Sequence, residues 1–308
     1  SAASDVYKRQ ENGFVVVKDA VPQVILDAVV DAIWEFLEID RDDREQWYKH
    51  KPYTRKDRCS PISAEGNVEM YQHQALWDNR QDPKVHQTFA EILGDEKLWV
   101  SLDRANMKPP ARADRPEWCD KGMIHWDMDT SKRPLKTGVQ GVLYLTDTAE
   151  DQGGFQCVPK SHHLLMNWLK NTDQRPTVES VIGKMKPVSI PGKAGDLLIW
   201  HSGLLHGNGH NTSDRPRYAQ YIGMQPEWTV RTAAGVIAAN EQTRQSRIRS
   251  WQNSPCQRSV ADAIGVPEDI VEQWLRQTHE QMDIKVVVDT CLLYTSPSPR
   301  DRQKSRMP

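Results

Sequence analysis

The chain has 308 residues, a formal net charge of −2, 38% hydrophobic residues and 27% charged residues. That supplies apolar material for a sizeable core, while the near-neutral balance argues against non-specific nucleic-acid binding, which needs a basic surface. No apolar run approaches the ~20 residues of a membrane span, and the N-terminal stretch holds no signal-peptide core. Five scattered cysteines without a C-x-x-C fit free thiols in a reducing, cytoplasmic setting better than a disulfide framework or a zinc ribbon.

In chain order, residues 1–10 and 284–308 read as tails foreign to the fold, either non-native or disordered; Ser1–Gln10 and about Cys291–Pro308 resemble translated adapter read-through. Residues 11–232 read as one domain. Phe14–Val17 is an expected strand, and Val21–Leu37 an amphipathic helix with Ile25, Val29, Ile33 and Leu37 at i+4 spacing. Residues 39–69 are polar, contain Pro52 and Pro61, and show no period; they read as a long loop or irregular insert of the kind that covers a site. Pro83–Leu93 reads as a second helix, ended by Gly94 and Asp95.

From Leu98 the pattern becomes short strands separated by Gly, Pro and Asp turns. They are expected at 98–107, 123–127, 138–145, 155–158, 185–190, 196–200 and 218–224, which points to a sandwich or barrel. Residues 162–171 read as a helix packed outside, and 233–283 as a C-terminal helical appendage of the same domain.

The chemistry concentrates in two stretches. In GMIHWDMDT (122–130), His125 and Asp127 are two apart, so in an extended segment they share a face. In GDLLIWHSGLLHGNGHNTSDRPRYAQYIGM (195–224), His206 follows an apolar strand and Arg217 opens the next, which predicts an imidazole and a guanidinium on neighbouring strands. Two histidines and one carboxylate form the facial triad of non-haem Fe(II) oxygenases, which leaves open positions on the metal.

These stretches, with NGFVVVKD (12–19), GGFQCVPKSH (153–162) and WHSGLLHGNGHN (200–211), resemble the phytanoyl-CoA dioxygenase family of Fe(II)/2-oxoglutarate-dependent oxygenases across residues 11–230. Lys160 stands where the family usually has Gly. The resemblance implies a mainly β fold with flanking helices, built on a double-stranded β-helix (jelly-roll, cupin-like) core. It implies His125, Asp127 and His206 as catalytic metal ligands for Fe(II), with 2-oxoglutarate and O2 as cosubstrates. It places Arg217, eleven residues after His206, on the distal carboxylate of 2-oxoglutarate, a role suited to a planar guanidinium that stays charged when buried. Asn106 and Asn208 fall where the family has polar cosubstrate contacts. The bland alternatives are a cross-strand bond for Asn106 and a turn role for Asn208 and Asn211.

Rivals can be weighed on the sequence. Arg215 is held in the turn by Pro216 and reads as solvated. His201 has Thr212 at the same offset, and Thr cannot clamp a carboxylate. Trp126 alternates with the ligands and should face away from the iron. Gln140 and Tyr144 share a parity and could line the cavity; Lys108, His162, His163 and His210 are further polar candidates nearby. Related halogenases replace the carboxylate of the triad with a small residue. Asp127 is present, so the resemblance implies hydroxylation, or a related oxidation, of a small molecule coupled to decarboxylation of 2-oxoglutarate to succinate and CO2. The competing reading is a metal-binding cupin-like protein, a sensor or isomerase, with no oxoglutarate affinity. Substrate identity and oligomeric state are not written in these residues.

Overall fold

The computed structural model describes residues 11–226 apart from 54–59, 72, 102, 132–134 and 136. The expected appendage at 233–283 and both expected tails lie outside the described residues. The strands are β1 (Phe14–Val17), β2 (Leu98–Val100), β3 (Ala105–Lys108), β4 (Val139–Tyr144), β5 (Phe155–Cys157), β6 (Val188–Ser189), β7 (Leu197–His201), β8 (His206–Asn208), β9 (Arg217–Ile222) and β10 (Met224–Pro226). The helices are α1 (Gln23–Leu37), α2 (Gln74–Arg80), α3 (Pro83–Leu93), α4 (Ser161–Asn171) and α5 (Val178–Ile182).

An antiparallel sheet in the order β1-β7-β4-β9-β3 faces a smaller one, β6-β5-β8, and β10 pairs with β2 beside them. This is the two-sheet jelly roll that the family resemblance implied, one of the sandwich or barrel forms open to the strand pattern, with its helices outside. Period-2 alternation sorts the large sheet into two faces. Leu143, Leu197, Ile199, Tyr218 and Ile222 join the helices in one core, whereas Val142, Tyr144, Leu198, Trp200 and Ala219 point inward and meet Phe155 and Cys157 of the small sheet.

Helix α1 buries Leu26, Val29, Ile33 and Leu37, each no more than 1% exposed. Leu26 therefore heads the stripe and the expected Ile25 sits at its margin; the helix starts two residues later than expected, with Pro22 at its N-cap. Each such side chain contributes roughly 1.5–3 kcal/mol of burial. Helix α2 is clamped to β9 by reciprocal amide contacts: Asn79 Nδ2 donates to Gln220 Oε1 at 2.7 Å, and Gln220 Nε2 donates to the Leu76 carbonyl at 2.9 Å. Arg80 is fully buried, lies 4.8 Å over the Trp77 ring, and donates to the carbonyls of Tyr71 and Asp103.

The strand expected over 98–107 is two strands, β2 and β3, in different sheets, and the one expected over 218–224 divides the same way into β9 and β10. Residues 123–127 form no strand; the segment touches β8 through one bridge, His125 to His206. The described residues of the insert at 39–69 form isolated bridges, Tyr53 to Ser63, Ile62 to Val68 and Asn67 to Asn106. Its tip runs along β3, with Val68 N donating to the Ala105 carbonyl and Met107 N to the Gly66 carbonyl, and so covers a sheet edge.

Two glycines let the 122–127 segment lie against β8. A Cβ on Gly207 would stand 2.3 Å from the Met123 carbonyl oxygen, and one on Gly122, whose φ is +75°, would stand 1.8 Å from that of Asn208. Both partners are backbone, so neither can swing aside.

Two outcomes test this account. Gly207→Ala should push residues 122–127 off β8, destabilising by about 1–3 kcal/mol and weakening divalent-metal binding; a folded Gly207→Ala protein with unchanged metal affinity would contradict it. His73 caps α2, its Nδ1 accepting from Ala75 N at 3.2 Å, and burial holds its pKa below the ordinary value. The unfolded chain therefore takes up that proton first. The stability from this cap is complete above the unfolded histidine pKa of about 6.5 and is lost progressively as pH falls from there through the lower folded-state pKa. His73→Asn keeps an acceptor at the cap without the titration, so its melting temperature should fall less between about pH 7.5 and 5.5; equal slopes would refute the assignment.

Candidate metal centre and anion socket

The small sheet carries His206 and presents its ring inward, stacked on Phe155 at a centroid distance of 5.7 Å and tilted against Trp200 at 4.8 Å. The 122–127 segment runs antiparallel beside it. His125 and His206 exchange both backbone hydrogen bonds at 2.9 Å, and Asp127 N donates to the Ser202 carbonyl at 3.2 Å. That single pairing brings the three side chains together. Asp127 Oδ1 lies 3.4 Å from His125 Nε2, Asp127 Oδ2 lies 3.0 Å from His206 Nε2, and one ligand atom from each residue lies within 4.8 Å of the others.

Both imidazoles are oriented from behind. His125 Nδ1 sits 3.0 Å from the Met123 carbonyl and His206 Nδ1 sits 2.9 Å from that of Leu204. A carbonyl accepts only, so each Nδ1 carries the hydrogen and each Nε2 keeps its lone pair for the shared centre. Burial pushes the Asp127 carboxyl up. Without a metal, His125 and His206, when protonated, place N–H and positive charge against its oxygens, which outweighs burial and holds the group well below the usual carboxylate range; a metal would take the place of those protons on Nε2. Asp127 is thus an anion at neutral pH. A face of two neutral imidazoles and one carboxylate has the donor chemistry of a divalent-iron site with open positions. His206 is 6% exposed and His125 42%, so the cluster is closed behind and open in front.

Arg217 opens β9, in the large sheet. It and His206 are neighbours in the chain but belong to opposing sheets, not to one hairpin, because β8 pairs with β5 and β9 with β3 and β4. The guanidinium is fully buried. Its Nη1 donates to Asn106 Oδ1 at 2.8 Å and to the Tyr221 hydroxyl at 3.4 Å, while Nε and Nη2 have no hydrogen-bond partner. Among the described residues no carboxylate pairs with it. A buried cation with one free donor edge is a ready socket for a carboxylate.

The remaining candidates separate cleanly. Asn106 Nδ2 donates to the Glu65 carbonyl and to Asn67 Oδ1, at 3.0 and 3.2 Å, which engages both of its hydrogens. Asn208 lies in β8, not in the turn, and its Nδ2 donates to the Tyr221 hydroxyl at 2.8 Å. Asn211 organises the turn, donating to the carbonyls of Lys108 and Arg215. Lys108 is buried but engaged by Asp120 and the Gly209 carbonyl. Arg215 is exposed, and Trp126 packs on the far side of the small sheet with Leu165 and Leu205. Tyr144 faces inward and donates to the Ile190 carbonyl, and His201 Nδ1 accepts from Gly203 N. His162 packs beside His163 and His201, and His210 Nδ1 meets the Asp120 carbonyl, so none of the four joins the cluster.

Tyr221 was not singled out by sequence reasoning; its even spacing from Arg217 on one strand was the available signal. It lines a cavity of about 730 Å³ together with Trp99, Ser101, Asp103, Gly138 and Gln140. Gly138 N donates to Ser202 Oγ, and the Ser202 carbonyl accepts from Asp127 N, so Ser202 links a lining residue of this cavity to the cluster.

The comparisons with known proteins agree with this architecture. The chain is similar over 263 residues, at 24% identity, to a Dictyostelium discoideum protein provisionally named phytanoyl-CoA dioxygenase, covering 71% of this chain and 74% of that one. Its fold is similar to that of SnoN, a non-haem α-ketoglutarate-dependent epimerase from nogalamycin biosynthesis (TM-score 0.52, 15% identity, 73% of this chain and 82% of that one). It is similar also to that of EctD from S. alaskensis, solved with 2-oxoglutarate and 5-hydroxyectoine (TM-score 0.51, 16% identity, 73% and 76%). The phytanoyl-CoA dioxygenase model matches residues 9–219, more than half of the chain. On that match the chain belongs to the phytanoyl-CoA dioxygenase (PhyH) family.

Proposed function

We propose that the protein is an Fe(II)- and 2-oxoglutarate-dependent dioxygenase that hydroxylates a small molecule. The observation that carries this is the pairing of two features across one interior: a His-Asp-His face and a buried guanidinium with an unused donor edge. Together the two features fit one ligand pair. His125, Asp127 and His206 would hold the iron, and Arg217 the distal carboxylate of the oxo-acid. The metal with its cosubstrate would supply O2 activation coupled to oxidative decarboxylation to succinate and CO2.

The chain's own residues do the rest. The carbonyls of Met123 and Leu204 fix both imidazoles in the tautomer that ligates. Trp200 and Phe155 wall one side of His206 against water. Asn106, itself tied to Glu65 and Asn67, aims the guanidinium. The cavity beyond Gln140 and Tyr221 offers room for an organic substrate beside the reactive face. Hydroxylation is favoured over halogenation because Asp127 completes the triad, where a halogenase would have a small residue.

The test is Fe(II)-dependent conversion of 2-oxoglutarate to succinate. Arg217→Ala should raise the KM for 2-oxoglutarate roughly tenfold to a hundredfold, the value of a charge-assisted bidentate contact, with iron affinity unchanged. A correctly metallated protein with no turnover over a broad substrate panel, and no effect of Arg217→Ala, would leave a metal-binding sensor or isomerase of cupin type in its place.

A further inference from the structure

Tyr221 lies four residues after Arg217 on β9 and faces the same interior. Its phenol oxygen accepts two hydrogen bonds, from Asn208 Nδ2 at 2.8 Å and from Arg217 Nη1 at 3.4 Å. A phenol has two acceptor lone pairs and one hydrogen. Both lone pairs are filled by donors, so the oxygen can meet any further ligand only through its O–H. No acceptor for that hydrogen stands among the described residues. The same accounting holds for Arg217. Nη1 is fully engaged, and the hydrogens on Nε and Nη2 are not.

The local charge points the same way. Lys108 lies directly opposite Arg217 on β3, so two buried cations stand side by side. Asp120 and the Gly209 carbonyl engage Lys108 alone. The region therefore has hydrogen-bond donors and positive charge to spare, and a carboxylate supplies both deficits at once.

Resting on the 2-oxoglutarate reading above, we infer that the Tyr221 hydroxyl is a third arm of the cosubstrate socket. Its O–H, with Nε and Nη2 of Arg217, holds the distal carboxylate of 2-oxoglutarate. Asn208 and Asn106 are positioning residues. Asn208 turns the phenol so that its hydrogen faces the ligand, and Asn106 holds the inner nitrogen of the guanidinium. Asn106 has no hydrogen left to offer a carboxylate, and its remaining lone pair would repel one.

The experiment is calorimetric titration of the Mn(II)-loaded protein, without O2, by 2-oxoglutarate and by 2-oxobutyrate. The two acids share the chelating oxo-acid end, and only the first has a distal carboxylate. Tyr221→Phe keeps the ring and loses one hydrogen bond to a charged group, so it should bind 2-oxoglutarate about tenfold more weakly. Its affinity for 2-oxobutyrate and for Mn(II) should match wild type. Asn208→Ala, which leaves the phenol in place but unsteered, should show a smaller loss with the same selectivity. A Tyr221→Phe protein that binds 2-oxoglutarate as wild type does, or that loses both acids equally, overturns the inference while the oxygenase reading stands. A wild-type Mn(II) protein that takes up no 2-oxoglutarate overturns both.

Discussion

The site depends on one close backbone approach, that of residues 122–127 to β8. The mutual hydrogen bonds of His125 and His206 set the register, and the spacing of His125 and Asp127 then decides which side chains share a face. Gly122 and Gly207 permit the approach, because any Cβ there would meet a carbonyl oxygen of the facing backbone. The metal-type cluster is thus a consequence of strand-like pairing, not of a preformed loop. Its donors ride on backbone that the ladder and the Trp200–Phe155 packing already hold.

The opposite wall follows a different logic. Arg217 is buried at the start of β9 with its Nε and Nη2 donors, three of its five N–H groups, unpartnered among the described residues. In a protein built only for stability such a group would be replaced by a hydrophobe or matched with a carboxylate. Here it is anchored at Nη1 through Asn106 to the insert at 39–69, and through Tyr221 to Asn208 on the facing sheet. The insert expected to cover a site therefore acts one layer further out, on the residue that holds the guanidinium.

Much of this was legible in the sequence because it rests on short-range patterns. H-x-D predicts a shared face wherever the chain is extended, and it survives the loss of the expected strand at 123–127, where only His125 bridges β8. Arg217 and α3 also stand where residue type and the Gly94 stop predicted them. What the sequence concealed is set by long-range contact. Helix α2 buries Asn79 and Arg80 against β9 and the 103 region, so its polar residues masked the apolar period. β2 and β3 read as one run because nothing local marks the switch between sheets. The targets of Asn106 and Asn208 depend on Glu65, Asn67 and Tyr221, which are distant in sequence.

The central claim is that the His-Asp-His face and Arg217 serve one iron and one oxo-acid. The most direct measurement is an anaerobic Fe(II) titration with and without 2-oxoglutarate, followed by the weak visible charge-transfer band of an oxo-acid chelated to facial-triad iron. The account predicts that the band forms in the wild-type protein, disappears in His206→Ala, and needs far more 2-oxoglutarate in Arg217→Ala. Iron binding without a band at any oxoglutarate concentration would contradict it.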